Sequence, residues 1–392
     1  MHPLRLLPLL LLLSSCAAQP PLAGRVQMPL PAGWRPVLYL IQPRHLRDLA
    51  ASYQGTVLDS AQVQPDGTFS FRKMPDAPQP VLLEIVAQKS DSRYPTLRAD
   101  QDPAAANYMP LLWQNGQTIR LKASIDRLQA SCQIESPGPG QASLLCLRDL
   151  RHAAAARYRA ALDSLPHDDQ HLLEREAAWA AFQMPLRSFA DTCPQLLPAL
   201  LALRWVSLEG DYERLPEFAV GQCQRWQAAR PEHPWAAQLC QLAARAQLPL
   251  LLQDTLPDFP LPMLHGDTVR LRRLLGQRLT LLDFWASWCA PCRRENREVL
   301  LPLWQAHHAG GFQIVGYALE SSREVWQKAL LKDGADRWPQ ASHLLGDDAP
   351  LMAELRMRTI PANILLDAKG RVLAKNLHGD ALRKWVEEYM RQ

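Results

Sequence analysis

Two cysteines separated by two residues, Cys289 and Cys292, sit in the stretch DFWASWCAPCRRE at 283–295, behind a run of apolar and aromatic residues. Such a pair serves one of three chemistries: a redox dithiol, half of a zinc site, or a static crosslink. Zinc needs a second half-site, and the chain has no other C-x2-C; His307 and His308 are adjacent rather than three to five residues apart. A C-x-x-C ring is small and strained and reduces readily, which suits a static crosslink poorly. A redox pair needs an attacking thiol that is ionised and exposed. The apolar run LTLLDFWA reads as a strand, and the residues from about Ala290 to His308 read as a helix. Cys289 then falls at the helix N-terminus, where free N–H groups and a partial positive charge stabilise a thiolate. Pro291 suits the first turn, where its missing N–H costs little. Cys292, in the same turn and expected to be the more buried of the two, is placed to resolve a mixed disulfide on Cys289 in a fast intramolecular step.

Asp283 lies inside the apolar strand. Burying an acid there is costly, and desolvation should raise its pKa; the plainer alternative is an acid on an exposed edge. Trp285 and Trp288 are expected to pack around the motif, and Arg293 and Arg294 to be solvated helix positions.

The elements that must carry this pair are legible in outline. The chain has 392 residues, more than one ordinary core holds. Its 43 basic and 39 acidic side chains form no long block of one sign, so nothing points to nucleic acid. Residues 1–15 read as a secretion signal, with Arg5 ahead of a short apolar core from Leu6 to Leu13 that is far below the length of about 20 residues that spans a bilayer. Residues 194–208 are the most apolar stretch after it, but hold Arg204 and read as a buried helix. Residues 16–36 read as a tether with a first short strand, and 37–130 as a small antiparallel β-domain, with TVLDSAQVQPDGTFSF forming strand, Pro-Asp-Gly turn and strand. Residues 141–250 carry apolar residues at helical spacing, punctuated by Pro194, Pro216, Pro231 and Pro234. Trp179, Trp205, Trp226 and Trp235 are expected as helix-packing residues, with a peptide-binding groove as the sharper alternative. After the Pro-rich linker LPDFPLP, residues 255–392 alternate in the order β-α-β-α-β-β-α. The fold class is therefore multidomain: an N-terminal antiparallel β-domain, a central all-α segment and a C-terminal α/β domain. Of the eight cysteines, Cys132, Cys146, Cys193, Cys223 and Cys240 have pairings that spacing cannot assign.

Several stretches resemble known families. Leu13-Ser14-Ser15-Cys16 resembles the bacterial lipobox, which implies lipidation of Cys16 and a protein anchored by acyl chains. Ala17 in place of Asp lacks the usual inner-membrane retention signal, implying a periplasm-facing lipoprotein at the outer rather than the inner membrane. The segments YL at 39–40, DSAQV at 59–63 and DGTFSF at 66–71 resemble the small β-domain of unknown function that precedes thioredoxin-like domains in bacterial lipoproteins. DFWASWCAPC at 283–292 and RTIPANILLD at 358–367, in this order, resemble the thioredoxin superfamily. The resemblance implies a cis peptide bond between Ile360 and Pro361 facing the cysteines, with Ile360 and Pro361, beside Trp288 and Pro291, forming the surface that receives an extended substrate segment. It also implies that Asp283 exchanges a proton with Cys292 through water. Glu295, three residues after Cys292, is similar to the TlpA/ResA-like branch, although many relatives there have Asn where this chain has Asp283. The branch implies a cell-envelope enzyme that acts on protein disulfides, apocytochrome c among them, is supplied with electrons by a membrane thiol donor, and uses no cofactor beyond the Cys289–Cys292 disulfide. The Ala-Pro dipeptide is close to the Gly-Pro of reducing thioredoxins and favours reduction; oxidase or isomerase activity is the alternative direction, and a ligand-binding surface lipoprotein with an accessory redox domain the alternative class.

Overall fold

The computed structural model describes residues 19–28, 33–50, 55–95, 102–166, 168, 171–207, 215–245 and 248–392. The signal segment and Cys16 lie outside the described residues. The described residues form two compact units, those within 1–44 and 52–144, and those within 45–51 and 145–392.

In the first unit, short β-branched and aromatic runs make β1 (Leu22–Gln27), β2 (Trp34–Gln42), β3 (Thr56–Gln62), β4 (Thr68–Phe71), β5 (Val81–Lys89), β6 (Tyr108–Trp113), β7 (Ile119–Ser124) and β8 (Gln133–Ile134), with a single helical turn, α1 (Leu128–Ser131), between the last two. They form two four-stranded sheets, β4-β1-β7-β8 and β3-β2-β5-β6. Every pairing is antiparallel except β1 with β7. In β4 the alternation expected at Phe69 and Phe71 is realised: both are buried between half-buried Thr68 and Ser70, their rings 5.8 Å apart edge to face. β3 and β4, adjacent in sequence, belong to different sheets. The turn between them, closed by Gly67 N donating to Gln64 O at 2.8 Å with Gly67 at φ +83°, carries the chain from one sheet to the other.

The second unit holds the remaining helices, with α2 running into it from the end of the first, and the α/β region. α2 (Pro139–Asp163), α3 (Leu172–Thr192), α4 (Leu196–Val206), α5 (Pro216–Ala229) and α6 (Pro234–Leu242) follow the helical periodicity of 141–250, and Pro216 and Pro234 occupy first-turn positions, where proline is tolerated. All eleven residues of α4 are buried. Arg204 is accommodated there because its guanidinium donates to the carbonyls of Leu49 (3.2 Å), Arg47 (3.3 Å) and Ser207 (3.4 Å). Trp205, Trp226 and Trp235 pack in the interior. Trp179 differs: it stacks on Phe182 with ring centroids 4.8 Å apart but remains 36% exposed. A disulfide between Cys223 and Cys240 ties α5 to α6. Among the described residues no helix is long and apolar enough to cross a membrane.

In the C-terminal region a hairpin of β9 (Pro260–Pro262) and β10 (Thr268–Arg270) precedes a five-stranded sheet. Its strands are β11 (Leu279–Trp285), β12 (Phe312–Ala318), β13 (Gln340–Ala341), β14 (Ala362–Asp367) and β15 (Val372–Lys375), in the order β13-β12-β11-β14-β15. β11 is central, parallel to β12 and antiparallel to β14, and buried throughout because both faces are covered. The helix expected from Ala290 to His308 is interrupted. α7 (Ala290–Glu295) passes through a π-turn at Asn296–Leu300 into α8 (Leu301–His307). Pro302 accounts for the break, because it lacks an N–H and its ring crowds the carbonyl four residues earlier. α9 (Arg323–Asp333), α10 (Pro350–Leu355) and α11 (Gly379–Arg391) complete the unit.

Candidate active site

Cys289 leaves the end of β11 and caps α7 with extended backbone (φ −80°, ψ 96°). Its sulfur accepts the Cys292 N–H at 3.3 Å, one of the orphan donors of the helix N-terminus. Pro291 is in the first turn. The two cysteines are joined as a disulfide with Cα atoms 5.3 Å apart. The expected contrast in exposure is absent: Cys289 is 5% and Cys292 3% exposed. Exposure falls instead on Trp288, 62% accessible beside the pair, whereas Trp285 is fully buried and donates its Nε1–H to Gln340 Oε1 at 3.2 Å. Trp285 therefore packs as expected and Trp288 does not. Gly316 makes room for that Gln340 side chain: a Cβ there would lie 2.3 Å from Gln340 Oε1.

The peptide bond between Ile360 and Pro361 is cis. Pro361 directly precedes β14, the strand that pairs with β11, so the proline and the cysteine motif leave the ends of neighbouring strands.

Asp283 occupies the middle of β11, opposite Gly316 on one side and Asn363 on the other, and is 3% exposed. Burial pushes its carboxyl well above the usual carboxylate range, and the negative charge of Glu295 adds to the shift. An edge-exposed acid is thereby excluded. Glu295 is also buried. Its Oε1 accepts the Gly379 N–H at 3.0 Å and its Oε2 meets His378 Nδ1 at 2.8 Å, so it caps the first turn of α11 and orients an imidazole. Asn363, fully buried beside Asp283, clamps Leu377, the residue before His378: its Nδ2 donates to Leu377 O at 2.6 Å and its Oδ1 accepts Leu377 N–H at 3.1 Å.

Two further carboxylates hold the loop before Cys289. Glu320, buried after β12, accepts the Ser287 N–H, and its Oε2 accepts the Ser287 hydroxyl at 2.9 Å. Asp333, at the end of α9, is bound by both Nε and Nη2 of Arg293 and by Nη1 of Arg297 at 3.0 Å, while Arg293 Nη1 donates to Ser287 O at 3.1 Å. Arg293 is thus no solvated helix position: its neighbour across 40 residues of chain is a buried acid that only the fold supplies. Arg294 pairs with Glu174 of α3 at 2.9 Å. Sequence reasoning did not single out His378, Asn363, Glu320 or Asp333. Asn363 carried a usable signal, a polar residue within the apolar run PANILLD, the same signal that marked Asp283.

A cavity of about 1090 Å³ opens beside the site, walled by Trp179 of α3 and by Glu295, Pro361, Asn363 and His378. Trp179 thus lines a groove as well as packing on Phe182.

A C-x-x-C disulfide capping the helix after the central strand, with a cis-proline leading into the neighbouring strand, defines the thioredoxin-fold class of thiol–disulfide oxidoreductases. Residues 252–375 match the AhpC/TSA family. Over 118 residues the chain is 31% identical to Sporulation thiol-disulfide oxidoreductase A of Bacillus subtilis, an overlap of 29% of this chain and 68% of that protein. It is 29% identical over 140 residues to Thiol:disulfide interchange protein DsbE of Allochromatium vinosum, covering 35% of this chain and 73% of that one. Among solved structures, a thiol-disulfide oxidoreductase from Bacteroides fragilis is 32% identical, with 34% of this chain and 98% of that chain covered and a TM-score of 0.32. The chain belongs to the TlpA/ResA-like thiol–disulfide oxidoreductases of the thioredoxin superfamily.

Proposed function

We propose that the protein is a lipid-anchored enzyme of the cell envelope that reduces disulfides in other exported proteins. The observation that carries this reading is the Cys289–Cys292 disulfide on the N-terminus of α7, with the buried acid Asp283 in the strand that leads to it. The Cys289 thiolate attacks one sulfur of a substrate disulfide, and the other sulfur leaves as a thiolate. Cys292 gives its proton to Asp283 through water and attacks Cys289, releasing the second substrate thiolate and closing the Cys289–Cys292 disulfide. A membrane thiol donor returns the two electrons. Exposed Trp288, with Pro291, Ile360 and Pro361, receives an extended segment of the substrate, of which apocytochrome c is one form and a misoxidised envelope protein another. Glu295 acts on the pair through Asp283, and the reaction needs no cofactor beyond the two cysteines. Acyl chains on Cys16 hold the protein facing the periplasm, at the outer membrane.

The test is the reduction potential of the Cys289–Cys292 pair, read by tryptophan fluorescence in thiol buffers with Cys292→Ser as control. A value near that of thioredoxin, about −270 mV, supports a reductase, and one of about −120 to −180 mV reverses the direction in favour of an oxidase or isomerase. A pair with no reversible transition removes the redox reading altogether.

A further inference from the structure

The buried acid at the centre of the site needs a route for its proton. When a donor thiolate attacks Cys289, the Cys289–Cys292 bond breaks and Cys292 leaves with the electron pair. On the reading above it takes the Asp283 proton. Asp283 is 3% exposed and must then be recharged from solvent.

One set of contacts leads outward from it. Asp283 stands opposite Asn363 in the β11–β14 pairing. Asn363 fixes both backbone polar groups of Leu377, which sets the position of His378. His378 Nδ1 lies 2.8 Å from Glu295 Oε2. In the tautomer in which Glu295 accepts that bond, Nδ1 carries the proton and Nε2 presents a lone pair. That Nε2 is buried, has no hydrogen-bond partner among the described residues, and belongs to a side chain on the wall of the 1090 Å³ cavity. An orphaned buried nitrogen at a cavity is a costly arrangement unless something visits it. Of the other charges on the wall, Arg294 pairs with Glu174, Lys375 with Glu217, and Arg383 with Asp380, and Glu176, Glu298, Arg356 and Arg358 also line it. Glu295 is left facing His378 and the Gly379 N–H.

We propose that His378 and Glu295 form the proton inlet of the active site, a positioning and relay pair that connects Asp283 to the cavity. During reduction of the disulfide, His378 Nε2 takes a proton from water in the cavity, the Nδ1 proton passes to Glu295, and Glu295, near enough for its charge to act on Asp283, passes a proton on to it through water. One proton is taken up, the donor supplies the electrons, and the imidazole ends neutral. The inference rests on the assignment of Asp283 as proton partner of Cys292.

The experiment measures reduction of the oxidised full chain by dithiothreitol in a stopped-flow instrument, with the rate corrected to the thiolate fraction at each pH. His378→Asn keeps a donor at the position of Nδ1 and removes the titrating ring. The expected result is a corrected rate lower by about tenfold, a modest share of what a positioned acid or base contributes. Added imidazole, small enough for the cavity, restores that rate in His378→Asn and leaves the parent protein unchanged. A purely structural role for His378 would show no such rescue. His378→Gln replaces the Asn variant if that one fails to fold. A rate within about twofold of the parent at every pH, or a loss that imidazole does not reverse, overturns the inference. Asp283→Asn run alongside separates the two readings. If it is slow and beyond rescue while His378→Asn is unaffected, the inlet falls and the role of Asp283 stands; if Asp283→Asn is as fast as the parent, the role of Asp283 itself falls.

Discussion

Replacing Arg293 with Ala tests how the loop before Cys289 is held. Asp333 is fully buried, and three charged N–H groups reach it: two from Arg293, whose side chain is 18% exposed, and one from Arg297, which is 43% exposed. A hydrogen bond to a charged group contributes about 1.5–3 kcal/mol, and breaking a buried pair so that one charge stays behind costs about 3–5 kcal/mol. Arg293→Ala removes two of the three donors but leaves Arg297 on Oδ1, and water enters the space vacated by the side chain. The expected loss is about 3 kcal/mol, the lower end of that range. Arg297→Ala removes one donor from a partly solvated side chain and should cost about 1 kcal/mol. Arg293→Lys should fall between, because an ammonium cannot form the two-pronged contact. Urea unfolding followed by tryptophan fluorescence gives the differences, provided the slope with urea is unchanged. A loss below about 1 kcal/mol for Arg293→Ala, or an equal loss for Arg297→Ala, would refute an argument built on counting charged donors to a buried acid.

Asp283→Asn is expected to stabilise the protein at neutral pH. The folded carboxyl titrates above its unfolded value, so between the two the folded state holds the extra proton and its stability falls as pH rises; the advantage of Asn should be absent below about pH 4 and grow above it, as thermal unfolding across pH will report. Glu295→Ala strips the Gly379 N–H and His378 of their acceptor and should cost about 1–2 kcal/mol, and Glu295→Gln, which still accepts from Gly379, less. Glu320→Ala leaves the Ser287 N–H and hydroxyl without their acceptor; a loss of about 1–3 kcal/mol and slower reaction of Cys289 with iodoacetamide after reduction are expected. Paired Cys223→Ser and Cys240→Ser substitutions open a loop between residues 17 apart and should destabilise by about 3 kcal/mol in the same urea assay, with the Cys289–Cys292 potential unaltered.

The redox pair was legible because its chemistry is local. Two cysteines, the proline between them and the apolar run before them occupy one strand and one helical turn, and the free N–H groups of a helix start are a property of the helix itself. Asp283 was legible for a related reason, since one acid in an otherwise apolar strand has nowhere solvated to go. The cis bond at Pro361 followed only from resemblance, because nothing in the spacing of RTIPANILLD separates cis from trans. The π-turn at Asn296–Leu300 had its cause in plain view at Pro302, yet the apolar spacing of the flanking residues masked it.

What the sequence by itself determined are the strand of Asp283, the helix start at Cys289 and the order of elements that makes β11 central. Tertiary structure decided which charges face which. Glu295 and His378 are 83 residues apart, Arg293 and Asp333 40, Ser287 and Glu320 33. In sequence each of these reads as an ordinary polar residue on a helix or loop. Charge pairing across such distances depends on the register of β11 with β12 and β14 and on the angles at which helices leave the sheet. Those are set by the packing of apolar side chains summed over the whole unit, a quantity that no local pattern contains.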